Sequence, residues 1–341
     1  FCCTNHLDFS ELASSTTDPF RYRDPRMNPF IESLLVFTGI HIIAAMSFYM
    51  PFKTGQVSLG QAGFMGVGAY AAGVITVKFG LPYPVGLIFA GVFTGLIGIC
   101  VGFPALRIRG IYLLLLTLGF AQIVQVIALT WDYTGAHDGF QGIPYQENTF
   151  WYVYGMIIIL ILFFSRLENS SLGRAMVSIH EDEEAAEVMG IDVVRIKLLA
   201  FGLGAVIAGV AGAMFAHYTT YVDSRSFGIL LGVEILMFCV VGGVTTYWGP
   251  ILGAAFLSLL PEGLRTLRDL MELIPLAVTD AIPKGNEIYD WLYELLDFEN
   301  EKRLIVYGAV LIIMMIIRPQ GLLTNKTVRQ LMFWKRPSRD A

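Results

Sequence analysis

Several residue groups in this chain could do chemistry. Glu181, Asp182, Glu183 and Glu184 are four consecutive acids, while His6, His41, His137, His180 and His217 are scattered over different segments. The stretch Gly55-Gln56-Val57-Ser58-Leu59-Gly60-Gln61-Ala62-Gly63-Phe64 brings two amides and a hydroxyl to the entrance of an apolar run, and Glu234 stands within another. Consecutive carboxylates could gather a cation, but the ligand spacing of a calcium loop is missing. They suit a solvated helix start, where the helix dipole favours negative charge. No G-x-x-x-x-G-K-[ST], H-E-x-x-H or C-x-x-C pattern occurs, so no motif supports phosphate cradling or zinc chemistry. His41 and His217 lie in or at the edge of apolar runs, where an ionisable group raises a functional question. The simpler reading of each is a neutral imidazole hydrogen-bonded within a helix bundle.

Gln56, Ser58 and Gln61, set among glycines, would make a thin backbone surface rich in hydrogen-bonding groups. Such a surface could line a path for a polar or zwitterionic solute. The same side chains could equally bond neighbouring backbones and glue helices together, and both readings stay open. Gln122, Gln125 and Glu234 are candidates of the same kind. A carboxylate inside an apolar span, such as Glu234, must be paired, protonated or turned to water.

The elements that hold these residues are apolar. Hydrophobic residues make up 55% of the chain and charged residues 15%. A soluble domain carries roughly 25% charge. The expected fold is therefore all-α, a polytopic transmembrane bundle of about 8–10 spans with broken or re-entrant helices. A net charge of −5 offers nucleic acid no basic face. Apolar runs fall near 30–50, 57–78, 84–103, 111–130, 150–165, 197–217, 229–243, 249–260 and 304–317. The pair 229–243 and 249–260, separated by Gly242-Gly243 and Gly249-Pro250, is short for a crossing and reads as broken or re-entrant. Stripes of small residues, Gly91/Gly95, Gly98/Gly102 and Gly204/Ala208/Gly212, let membrane helices approach closely. Cys100 and Cys239 sit in apolar runs, and Cys2 and Cys3 have no metal-ligand spacing around them.

Lys and Arg in short loops orient such a protein. Alternating crossings put Lys53, Arg107, Arg109, Arg166, Arg174, Arg195 and Lys197 on one side with the basic tail 321–341, while the loop from Trp131 to Phe150 has neither Lys nor Arg. The basic side is expected to be cytoplasmic. Residues 1–29 are polar, without the basic start and apolar core of a signal peptide, and read as an external segment after an upstream piece. Residues 30–320 form the membrane domain, with 261–303 as an external insertion.

The polar interruption at 165–197 is the most charged part of the chain. Ser178 with Glu181 fits a capping box, Gly190 is a natural stop, and a short amphipathic helix from Ile179 to Met189 is expected. Ala185, Val188 and Met189 would share one side of it, a small apolar knob shaped for a partner's groove.

These stretches carry a family resemblance. Glu184-Ala185-Ala186-x-x-x-Gly190 resembles the coupling motif of ABC importer permeases. GQVSLGQAGF, PALRIRGIYLLLLTLGF, TGAHDGFQGIP at Thr134–Pro144, SLGRAMVSIHEDEEAAEVMGID, KLLAFGLGAVIAGVAGAMFAHY, VVGGVTTYWGPILGAA and the Arg318–Leu322 stretch together resemble the permeases of branched-chain amino acid importers. The resemblance runs over roughly 30–323 in order. Departures are Gln61 where His is usual, Ala136 in place of a second Gly, and a longer, more acidic 261–303.

The resemblance implies a transport subunit of a bacterial or archaeal inner membrane, with no catalytic residue of its own. It implies partners: a second permease, identical or related, two ATP-binding cassette subunits that hold ATP and Mg, and a periplasmic or extracellular solute-binding protein. Gly173, Arg174, Glu184, Ala185, Ala186 and Gly190 would couple to the ATPase, and Gln56, Ser58, Gln61 and Glu234 are the path candidates. Urea or short-amide permeases share the scaffold. A secondary transporter driven by an ion gradient is the alternative of a different class.

Overall fold

The structure is a computed structural model that describes residues 28–273, except 107, 109, 132 and 133, together with 308 and 312. Asn28 is extended and Pro29 opens helix α1, Pro29–Phe52; proline is pre-set for the first turn, where its missing N–H costs nothing. Next come α2, Gln61–Lys78, α3, Tyr83–Ala105, and α4, Ile111–Thr130. A two-residue strand β1, Phe140–Gln141, precedes α5, Thr149–Glu168. Two short helices, α6 at Ser171–Glu181 and α7 at Glu183–Val188, lead into α8, Val193–Thr219. Strand β2, Tyr221–Val222, is followed by α9, Ile229–Gly242, and α10, Trp248–Leu273.

Helices α1, α3, α4, α5 and α8 are long and apolar enough to cross a membrane. The chain is an all-α, multi-pass membrane protein. Helix α8 is the most enclosed of these five, and the glycine stripes explain how. A Cβ placed on Gly68 of α2 would run into the Gly209 backbone, and one on Gly212 into the Met65 carbonyl. On α3, a Cβ at Gly91 would sit 3.1 Å from Val210 and one at Gly102 3.0 Å from Leu198. Gly204 faces the Ser47 carbonyl of α1 at 2.8 Å from its would-be Cβ. Three helices thus close on α8 at backbone distance, and dispersion contact stands in for a hydrophobic driving force that lipid does not supply.

Helix α9 has 14 residues, about 21 Å at 1.5 Å per residue, against a hydrocarbon core of about 30 Å. The break after it falls at Gly243, and Gly242, Gly249 and Gly253 bring α10 back against α9. At the break Gly242, Gly243, Thr246, Tyr247, Gly249 and Pro250 are buried, which is where irregular backbone in a membrane protein is tolerated. The Cys239 thiol donates to the Ala45 carbonyl at 3.2 Å, and His41 Nδ1 lies 2.9 Å from Ser258 Oγ.

Helix boundaries correct the sequence reading in three places. Helix α2 starts at Gln61, so residues 57–60 are loop. Helix α10 runs through Pro261 to Leu273, so 261 is not a boundary between span and insertion. A proline can sit inside a helix by giving up one hydrogen bond and bending it. The third is at 179–189, where the expected single helix is split between α6 and α7. The rest of the insertion, the 304–317 run apart from residues 308 and 312, the tail 321–341 and residues 1–27 lie outside the described residues.

Candidate functional site

Most of the residues singled out from sequence fall in two regions at the same end of the bundle. Lys53 closes α1 and Glu168 closes α5; their charged atoms are 2.9 Å apart. The Phe52 and His180 rings are 5.5 Å apart, and Lys197 at the base of α8 pairs with Glu183 of α7 at 2.7 Å. At the opposite end β1 and β2 pair antiparallel, Phe140 with Val222 and Gln141 with Tyr221. There His217, buried at the end of α8, places Nδ1 2.9 Å from the Ala213 carbonyl and Nε2 3.2 Å from Thr76 Oγ1. His217 thus sits hydrogen-bonded within the bundle.

The polar segment is two helices, not one from Ile179 to Met189. Ser170 caps α6, its Oγ accepting from Gly173 N at 3.1 Å. Ser178 lies mid-helix and donates back to the Arg174 carbonyl, so it forms no capping box with Glu181. Asp182 is extended and breaks the chain, and its Oδ1 accepts from the Glu184 and Ala185 amides, both at 3.0 Å. The cap that opens α7 is therefore Asp182, and Glu184 supplies only its backbone donor to it. Stopping at 182 lets α7 fold back, so that Ala186 packs with Ile179 and Val193.

Helix α7 ends as expected. Gly190 adopts φ +81°, a left-handed conformation that strains a side-chain-bearing residue. Its N–H bonds the Glu187 carbonyl and the Ile191 N–H bonds the Ala186 carbonyl, at 2.9 and 3.1 Å, which is the Schellman arrangement.

The predicted coupling residues thus divide. Ala186 is 3% exposed and belongs to the segment's own small core, so it is no contact surface. Gly173 lies against the Leu167 carbonyl with no room for a Cβ, and Arg174 reaches the Asn169 carbonyl at 3.1 Å. These two set the tight α5–α6 corner. Glu184 and Ala185 are exposed. Val188 and Met189, 87% and 81% exposed, form a bare apolar knob at the tip.

The second region is the loop from Lys53 to Gly60. It folds back on the end of α1 through amides of Thr54 and Gln56 bonded to the Pro51 carbonyl. The Leu59 amide donates to Thr117 Oγ1 of α4 at 3.0 Å, and Ser58 Oγ accepts from the Gly60 amide at 3.2 Å. A Cβ on Gly63 would lie 2.8 Å from the Ala121 backbone, so glycines here bring α2 against α4. Gln56 and Gln61 are 4% and 1% exposed, yet Gln56 Oε1 and Gln61 Nε2 have no hydrogen-bond partner.

The one Ser47 hydroxyl proton goes to the Ala44 carbonyl at 2.6 Å, which leaves the 3.5 Å contact to Gln61 Oε1 weak. Turning the Gln61 amide over would let its nitrogen donate to Ser47 Oγ and leave its oxygen unpaired. In either orientation half of the amide is free. Such groups, costly to bury unpaired, can donate to a carboxylate or accept from an ammonium. Glu234 stands half-buried on α9 and Gln122 and Gln125 half-buried on α4, apart from the Gln56–Gln61 loop in sequence. Among the described residues no three His, Cys, Asp or Glu side chains gather as a metal site.

The described helices and this polar segment fall inside one family match. The model of the family "Branched-chain amino acid transport system / permease component" matches residues 30–315. The chain belongs to that family. The high-affinity branched-chain amino acid transport system permease proteins LivM of Salmonella typhimurium and Escherichia coli are each 29% identical to it over 324 residues, covering 85% of this permease and 67% of the relative. The autoinducer 2 import system permease protein LsrC of an Enterobacter species is 25% identical over 241 residues, 64% of this permease and 66% of the relative. No solved structure matches it. The permease is a membrane component of a transport system, and sequence reasoning missed the Lys53–Glu168 pair and the Thr117 acceptor within it. Lys53 had entered only as a loop charge, and nothing local relates it to residue 168.

Proposed function

We propose that this permease is half of the translocation unit of an ATP-driven importer for branched-chain or other hydrophobic amino acids. It works with a second permease, identical or related, in the cytoplasmic (inner) membrane of a bacterium or archaeon. Two ATP-binding cassette subunits, which hold ATP and Mg, dock on the basic side, and a solute-binding protein delivers solute on the other. Val188 and Met189 enter a groove of the ATPase, while the capped, Schellman-closed α6–α7 segment carries the push. Gln56, Ser58, Gln61 and Glu234 contribute to the solute path.

The observation that carries this reading is the Val188–Met189 knob, bare of its own chain at the tip of a segment otherwise packed against it. Relatives named for branched-chain amino acid transport support the solute class. Copurification from cells expressing the whole system, followed by uptake of labelled leucine into vesicles, tests the proposal. An ATP-binding subunit should come with the permease, and uptake should need ATP. Leucine uptake by this chain alone, driven by a proton gradient, would instead identify a secondary carrier.

A further inference from the structure

Resting on that reading, we infer that Glu168 is a positioning residue that transmits movement of the α6–α7 segment to the Lys53–Gly60 loop through its ion pair with Lys53. Glu168 is the last residue of α5, two residues before the Ser170 cap of α6. Its Oε1 accepts from both Lys53 Nζ and Tyr49 Oη, each at 2.9 Å. Lys53 is buried and lies 5.5 Å from the centre of the Tyr49 ring, so water offers its ammonium little alternative to Glu168. A buried charge parted from its partner is left uncompensated, which is costly. It must follow its partner.

Both sides of the pair are stiff. On one side, Gly173 against Leu167 and Arg174 on the Asn169 carbonyl fix α6 to the end of α5. On the other, Lys53 is bonded back into α1 and begins the turn that ends at Gly60 beside Thr117. His180 makes a parallel contact, its ring against Phe52 and its Nδ1 3.4 Å from where a Cβ of Gly55 would lie. A push on the tip therefore has a short packed route to the loop holding Gln56 and Ser58.

The test uses the assembled complex in lipid vesicles with leucine as solute, reading leucine taken up per ATP hydrolysed. Glu168→Gln and Lys53→Met should each lower that ratio about tenfold, within the range by which such networks modulate coupling. ATP hydrolysis and subunit stoichiometry should persist. Tyr49→Phe, which removes one bond and no charge, should lower the ratio less. The exchanged pair Lys53→Glu with Glu168→Lys should restore it, which a general loss of folding would not allow. A wild-type ratio in Glu168→Gln overturns the inference and leaves the importer reading intact. Single variants that fail to assemble, with no rescue by the exchange, also overturn it, since the pair then serves folding alone. Leucine uptake by the wild-type complex without ATP would overturn the importer reading itself and the inference with it.

Discussion

Ala186 packs against Ile179 inside the permease, across the break that Asp182 makes between α6 and α7. This contact separates what holds the polar segment together from what it presents. Ala186→Trp should overpack the small core and cost about 1–3 kcal/mol, and the purified permease should unfold at lower temperature with no ATPase present. An unchanged melting temperature would mean that Ala186 faces outward.

Asp182 should be the residue on which α7 depends. Asp182→Ala removes the acceptor of the Glu184 and Ala185 amides, a loss of about 0.5–2 kcal/mol for an N-cap. Hydrogen exchange should quicken across 183–190, and Ser178→Ala should leave it unchanged. Equal exchange in the two variants would restore Ser178 as a cap.

The glycines of the bundle make a sharp contrast. Gly212→Val would drive a side chain into the Met65 carbonyl and should cost about 3 kcal/mol or more. Gly155 of α5 has nothing within 4 Å of a would-be Cβ, so Gly155→Ala should raise stability by about 0.4–1 kcal/mol. Melting of the two purified variants in detergent checks both signs.

Much of this was readable from sequence where one signal dominated. The apolar run 111–130 and helix α4 coincide because nothing but hydrophobicity decides that span. The Gly91–Gly102 and Gly204–Gly212 stripes meet the neighbours that small residues permit. The reading failed where local signals competed. Ser178-x-x-Glu181 and Asp182 are both legitimate caps, and only the fold-back of Ala186 onto Ile179 and Val193 selects the second. The Lys53–Glu168 pair and the Leu59–Thr117 bond join residues distant in sequence, and no pattern in one chain announces them.

Sidedness can be checked without any partner. In a form lacking native cysteines, Glu147→Cys should react with an impermeant reagent on intact cells, and Glu187→Cys only after permeabilisation. Both positions are exposed. The reverse pattern would invert the topology.

The path glutamines give a separable outcome. Gln56→Leu and Gln61→Leu remove unpaired buried amide atoms, so stability should hold or rise while leucine uptake falls. Lower stability with normal uptake would make both side chains helix glue.

The most direct measurement concerns the tip. In the reconstituted complex, Val188→Asp with Met189→Asp replaces two exposed apolar side chains and should leave the permease's own melting temperature unchanged. Leucine-stimulated ATP hydrolysis should fall by about thirtyfold, as when about 2 kcal/mol of anchoring contact is lost. Wild-type stimulation in that variant, with all subunits present, would contradict the coupling role of α7.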